Sequence, residues 1–155
     1  MPSNGNSPYV PIPMHVLHAY YESTDHSLKT LELSFDHVED SRAFFDAFNP
    51  GQFCLLSVAG MGESALGVAS AAWEGDFVRF TAQKMGSVTS ALHSLKAGDA
   101  IGMRGPLGNG FPLEDWKGKS LVIIGGGCAF STLYALTKHV HHPTNRDDYG
   151  KLTLV

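Results

Sequence analysis

Apolar and polar residues alternate with a period of two along much of the chain, which is the pattern of strands with one buried face. Residues 14–21 (MHVLHAYY) and 27–35 (SLKTLELSF) read as strands, the second anchored by Leu31, Leu33 and Phe35. Phe44, Phe45 and Phe48 are spaced for one face of a short helical turn over residues 40–48, closed by the turn signal Asn49-Pro50-Gly51. Residues 52–58 are largely apolar and read as a buried strand. Further strands are expected over 66–72, 76–83 and 100–104. The one helix with a clear amphipathic face follows Gly86 and carries Ala91, Leu92 and Leu95. Six short strands with closely spaced turns and one helix predict a small β-barrel. After Trp116 the pattern changes. Residues 119–124 form an apolar strand that runs into Gly125-Gly126-Gly127, a helix follows over 130–139, and another strand starts at Leu152. Strand, glycine turn, helix and strand read as the start of a parallel α/β unit. The expected organisation is a flexible arm (residues 1–13, rich in Pro, Asn, Ser and Gly), a barrel (residues 14–116) and an incomplete α/β unit (residues 117–155).

Composition narrows the function classes. The chain has 155 residues, 43% hydrophobic and 17% charged, and a net charge of −4. That balance gives no general electrostatic reason to bind nucleic acid or an anionic membrane. No apolar run has the length of a membrane span, and the N-terminus lacks the basic and apolar regions of a signal peptide. Cys54 and Cys128 sit in apolar surroundings and read as buried thiols of a reducing, cytoplasmic compartment. Two cysteines do not supply the four ligands of an iron–sulfur cluster.

Candidate chemistry concentrates in residues 86–111. Gly86-Ser87-Val88-Thr89 opens the amphipathic helix, where free backbone N–H groups and hydroxyls suit a phosphate. Taken alone, a Ser or Thr N-cap is the simpler reading. Lys84 adds a positive charge just upstream, and Gly105, Gly108 and Gly110 form a loop open to close backbone approach. The turn Gly125-Gly126-Gly127-Cys128-Ala129 has the strand-to-helix context of a dinucleotide site. Its third glycine position falls on Phe130, so a dinucleotide turn and a ligand-free turn stay open. His139, His141 and His142 invite a metal, but a helix end explains them better. His15, His18, His26, His37 and His93 show no ligand spacing, and no Gly-x-Ser-x-Gly is present.

Taken together, these segments resemble the ferredoxin–NADP reductase superfamily over residues 14–155. The branch is that of electron-transfer subunits: the gamma subunits of hydrogenases and sulfhydrogenases, and the electron-transfer subunits of anaerobic sulfite reductase and dihydroorotate dehydrogenase. The stretches that carry the resemblance are Pro50-Gly51-Gln52-Phe53, Gly62-Glu63, Gly86-Ser87-Val88-Thr89-Ser90-Ala91-Leu92 and Arg104-Gly105-Pro106-Leu107-Gly108-Asn109-Gly110-Phe111. The resemblance implies an all-β Greek-key FAD-binding barrel followed by the start of a Rossmann-like NAD(P)-binding domain. It also implies electron transfer between NAD(P)H and an iron–sulfur partner within a multi-subunit redox complex. A cluster would lie in that partner or in a longer parent chain. In the family pattern the FAD pyrophosphate lies on the segment matched by Gly86, Ser87, Val88 and Thr89. The flavin-contact motif, Arg-x-Tyr-Ser or Pro-Ile-Ser-Ile, is matched by Ser64, Ala65, Leu66, Gly67 and Val68. Ser64, Leu66 and Gly67 thus replace Arg, Tyr and a serine able to hydrogen-bond the flavin. The second glycine turn, Gly-Gly-Gly-Ile-Gly-hydrophobic-Ala-Pro in the pattern, here reads Gly125 to Thr132 with Ala129 for the last glycine. The alternative reading is a flavin-free or nicotinamide-independent docking subunit of a redox complex.

Overall fold

The computed structural model describes residues 9–74 and 76–155. Most of the arm, residues 1–8, lies outside the described residues. The first strand, β1 (Ile12–Tyr21), begins two residues earlier than expected. Ile12 and Pro13 pair with Met103 and Gly102 and so belong to the sheet, not to the arm.

The other elements follow in order: β2 (Leu28–Phe35), α1 (Val38–Ala47), β3 (Phe53–Val58), β4 (Gly62–Gly67), β5 (Phe77–Gln83), α2 (Ser87–Ser94), β6 (Ala100–Leu107), β7 (Leu121–Ile123), α3 (Phe130–His141) and β8 (Leu152–Leu154). β1 to β6 form one antiparallel sheet in the order β4-β3-β6-β1-β2-β5. Its edge strands are drawn together beyond β4, where Val68 bridges to Phe80 and Ala69 N–H donates to the Arg79 carbonyl at 2.8 Å. This contact curls the sheet into a barrel.

Alternate residues of the strands point inward: Met14 and Val16, Leu31 and Leu33, Cys54 and Leu56, Val78 and Phe80, Ile101 and Met103. Each fully buried side chain of this kind stabilises the fold by about 1.5–3 kcal/mol over an exposed one. Phe44 and Phe48 of α1 and Leu92 of α2 fill the same core. Burial also raises the Cys54 thiol pKa to about 12, so it is packing material and not a nucleophile.

One strand differs from its expectation. The apolar run predicts a strand over 66–72, but β4 runs over Gly62–Gly67 and opens with Gly62, Glu63 and Ser64. Glu63 faces outward, where its carboxylate accepts from Ser57 Oγ (2.7 Å), from Arg104 Nε (2.9 Å) and from a second Arg104 nitrogen. This polar row holds the start of an edge strand that hydropathy overlooks. Residues 68–71 then turn into the interior. The Arg104 hydrogen bonds, and then that of Ser57, lower the Glu63 pKa to about 2. A depressed carboxyl pKa contributes stability that is complete above the ordinary value of 4.5 and disappears as pH falls toward about 2. The melting temperatures of the wild type and Glu63→Gln should therefore differ at neutral pH and converge through that acid window.

α2 is held at its C-terminal end by Lys29 of β2. The buried Lys29 ammonium donates to the carbonyls of His93 (2.8 Å) and Leu95 (2.6 Å), which have no partner within the helix. Desolvation lowers its pKa. Lys29→Met keeps the apolar stem but leaves these carbonyls unpaired. Urea denaturation should show a loss of about 1–3 kcal/mol.

β7 and β8 pair in parallel, with α3 between them in sequence. Ile123, Leu136, Val140 and Tyr149 form a second, smaller core, onto which Phe111, Leu113 and Trp116 pack from the connecting segment. Phe111 also ties this core to the turn before β3. Its N–H donates to the Pro50 carbonyl at 2.8 Å, and its ring lies against Gly51, whose φ of 101° suits glycine. Among the described residues no helix is long and apolar enough to cross a membrane.

Candidate cofactor site

The segment 86–89 does not form the side-chain cap that the simpler reading favours. The N-cap of α2 is Gly86, in extended backbone, so no N-cap side chain reaches the first turn; the one capping bond is that of Thr89 to the Gly86 N–H. Ser87 is already the first helical residue. Thr89 turns back instead: its hydroxyl oxygen accepts from the N–H groups of Met85 and Gly86, both at 2.9 Å, and donates to the Gly86 carbonyl at 3.2 Å. Thr89 therefore braces the turn. The N–H groups of Ser87 and Val88 keep their capacity to donate, as expected for a first helical turn. Nothing lies within 4 Å of where a Cβ on Gly86 would sit, and Ser87 is exposed. The positive end of the helix dipole, free donors and an open approach form a cradle suited to a phosphate. Lys84 is exposed on the same approach, its own backbone N–H tied to the Ser27 carbonyl at 2.8 Å.

The remaining sequence-predicted residues come from two other segments, and the fold brings all three close. Ser64, Ala65, Leu66 and Gly67 lie on β4 and Val68 directly after it. The start of β4 adjoins α2, with Val88 Cγ2 3.6 Å from where a Cβ on Gly62 would be. Its end meets α3: Thr132 Oγ1 occupies the place that a Cβ on Gly67 would take. The glycine turn meets β5, where Cys128 Sγ lies 3.6 Å from Gln83 Oε1, three residues before Gly86. Cys128 is thus half-buried at a seam, not in a core as its apolar neighbours in sequence suggest. Gly125 fits tightly against Leu133 and Phe130, while the space beside Gly126 and Gly127 is open. Ala129 is exposed, so its methyl group projects toward solvent from the turn.

Between the turn and the barrel runs a cleft of about 480 Å³. Gly127, Cys128 and Ser131 line one side, and Tyr20, Arg79 and Thr81 line the other. The strand residues of this cleft escape sequence reasoning. They come from β1 and β5, and only the sheet register sets them side by side. Arg79 donates through Nε and a terminal nitrogen to Glu32 Oε1 at 3.0 and 2.9 Å. Among the described residues no cluster of His, Cys, Asp or Glu is arranged to hold a metal ion. His93 is instead buried, with Nε2 2.9 Å from the Ala82 carbonyl.

The barrel followed by strand, helix and parallel strand is the fold of ferredoxin–NADP reductase-like flavoproteins. A ferredoxin NADP+ reductase from Neisseria gonorrhoeae, solved with FAD and NADP bound, superposes with a TM-score of 0.70 at 21% identity, over 92% of this chain and 55% of that one. An NADH-dependent reduced ferredoxin-NADP oxidoreductase, described in work on flavin-based electron bifurcation, gives a TM-score of 0.72 at 21% identity, over 97% of this chain and 48% of that one. In sequence, the chain is homologous to electron-transfer subunits of redox complexes. It is 36% identical over 108 residues to sulfhydrogenase 1 subunit gamma of Pyrococcus furiosus, across 70% of this chain and 36% of that protein. It is 34% identical over 130 residues to the "Probable dihydroorotate dehydrogenase B (NAD(+)), electron transfer subunit" of Thermococcus kodakarensis, across 81% of this chain and 50% of that protein. The chain therefore spans between about a third and a half of these curated relatives. No protein-family model matches it.

Proposed function

We propose that this chain is the flavin-binding part of an electron-transfer flavoprotein, moving electrons between NAD(P)H and an iron–sulfur partner in a multi-subunit complex. The observation that carries the reading is the start of α2, where the N-cap Gly86 has no side chain to occupy the first-turn N–H groups and the space beside it is open. A helix N-terminus whose first-turn N–H groups are not taken by an N-cap side chain suits the pyrophosphate of FAD. When bound, FAD supplies the redox chemistry, taking up a hydride and passing electrons on singly. The chain's residues bind and orient. Ser87 and Val88 donate N–H groups to the pyrophosphate, Thr89 holds the turn that presents them, and Lys84 offsets charge. Of residues 64–68, the outward positions Ala65 and Gly67 would provide the wall for the flavin ring, whereas Leu66 packs on the barrel core and Val68 is buried in it. No side chain is required as a general acid or base.

The assignment divides the chain into a FAD-binding barrel, which with the paired Ile12 and Pro13 covers residues 12–116, and the start of a dinucleotide-binding domain, residues 117–155. Gly125, Gly126, Gly127, Cys128 and Ala129 would receive the NAD(P) phosphates, supported by the open space beside Gly126 and Gly127. A cytoplasmic setting fits the two free thiols. Anaerobic titration of the FAD-loaded protein with NADH and with NADPH tests the nicotinamide link. Bleaching of the flavin's visible absorption by either is expected. Bleaching by neither would overturn that link and favour a subunit supplied with electrons by a protein partner.

A further inference from the structure

Gly67 is the point at which the barrel and α3 touch most closely among the glycines of the site, and the touching atom is a hydroxyl oxygen. Thr132 Oγ1 sits in the place of a Gly67 Cβ, with Thr132 Cβ 3.1 Å and Cγ2 3.3 Å from the same point. A serine or alanine at position 67 and a threonine at 132 cannot share this packing. The two residues also stand at two departures from the family pattern, where Ser and Pro would be. In this structure those departures are one contact.

Threonine in a helix ordinarily returns its hydroxyl to a carbonyl three or four residues back. Thr137 does so, donating to the Leu133 carbonyl at 2.9 Å. Thr132 shows no such bond, and the carbonyl four back, that of Cys128, accepts from Ser131 Oγ at 2.7 Å. Thr132 Oγ1 makes no hydrogen bond to any described residue, and the side chain is half-buried against the end of β4. The hydroxyl is not enclosed by protein, so it is open to water or to a ligand at this wall and has a donor to give.

We infer that Thr132 is a positioning and tuning residue for the flavin: its hydroxyl, reaching across the seam from α3, makes the hydrogen bond to the flavin ring that Gly67 has no side chain to make. The inference rests on the reading of Ala65 and Gly67 as the flavin wall. It adds a consequence. The hydroxyl is carried by the second unit, so the flavin's reduction potential depends on how α3 seats on the barrel.

The test uses the FAD-loaded chain and three variants, with affinity for oxidised and reduced FAD, the visible flavin spectrum and the midpoint potential as readouts. Thr132→Val removes the hydroxyl at nearly constant shape. It should change the ratio of the two binding constants by about two- to tenfold, the range of one net hydrogen bond, with a matching shift in potential and spectrum. Thr132→Ser should keep the wild-type values. Gly67→Ser with Thr132→Ala, which moves the hydroxyl back to the strand, should restore them. Without flavin, Gly67→Ser alone should lower the melting temperature, and the added Thr132→Ala should recover most of the loss, a coupling expected only for neighbours in contact. The inference is overturned if Thr132→Val binds FAD with an unchanged ratio, potential and spectrum. A wild type that binds no FAD would remove the flavin wall itself, a failure recognisable before any variant is made.

Discussion

Ser87→Asp is expected to lower affinity for FAD by about thirtyfold or more while leaving the barrel as stable as the wild type, or slightly more so. The two effects have opposite signs for one physical reason. A carboxylate at the first position of α2 lies against the positive end of the helix dipole and the unpaired N–H groups, which stabilises a helix by about 0.3–1 kcal/mol. The same carboxylate occupies the donors that the pyrophosphate needs and repels it. Two unit charges about 5 Å apart near a protein surface interact by about 3 kcal/mol, enough for the predicted loss. Fluorescence titration with FAD, alongside thermal unfolding of the flavin-free protein, separates the terms. Equal FAD affinity in Ser87→Asp and wild type would remove the start of α2 from the site.

Glu74→Ala should cost about 3 kcal/mol, measured by chemical denaturation, and should loosen α3 from the barrel. The Glu74 side chain is only 9% exposed and accepts from three sources: Lys138 Nζ of α3 at 2.9 Å, an Arg79 terminal nitrogen at 3.4 Å and the Ala71 N–H at 2.8 Å. Burial alone would raise its pKa, but the Lys138 hydrogen bond, the Ala71 N–H and the neighbouring positive charges outweigh it and the pKa is lowered. Lys138 also lies over the rings of Trp73 and Tyr134, 5.3 and 5.2 Å from their centroids. Removing one member of a largely buried ion pair leaves its partner uncompensated, at about 3–5 kcal/mol. The lower figure applies because Arg79 keeps Glu32 and Lys138 reaches solvent. Glu74→Gln, which keeps an acceptor for the Ala71 N–H, should lose less.

The barrel is legible in the sequence wherever one face of a strand is buried. Residues 28–35 and 77–83 alternate because Leu31, Leu33, Val78 and Phe80 all enter one core. The legibility fails at β4, an edge strand whose first half is fixed by the Ser57–Glu63–Arg104 hydrogen bonds and not by apolar burial. The start of α2 is legible as the proposed phosphate site, but the division of labour within it is not. That Thr89 braces the turn while Ser87 and Val88 stay open depends on backbone geometry around Gly86. Arg79 and Tyr20 carry no signal at all, since their place at the cleft follows from strand register. The same holds for Thr132, an ordinary helical residue in sequence whose meaning comes from its contact with Gly67.

Stoichiometric FAD binding is the most direct test of the account. Isothermal titration of the purified chain with FAD, followed by quantification of flavin released from the washed complex, should return one FAD per chain. The affinity should be much weaker for FMN, which lacks the pyrophosphate-linked adenosine. Released flavin no higher than background would contradict the account and leave the barrel as a docking module.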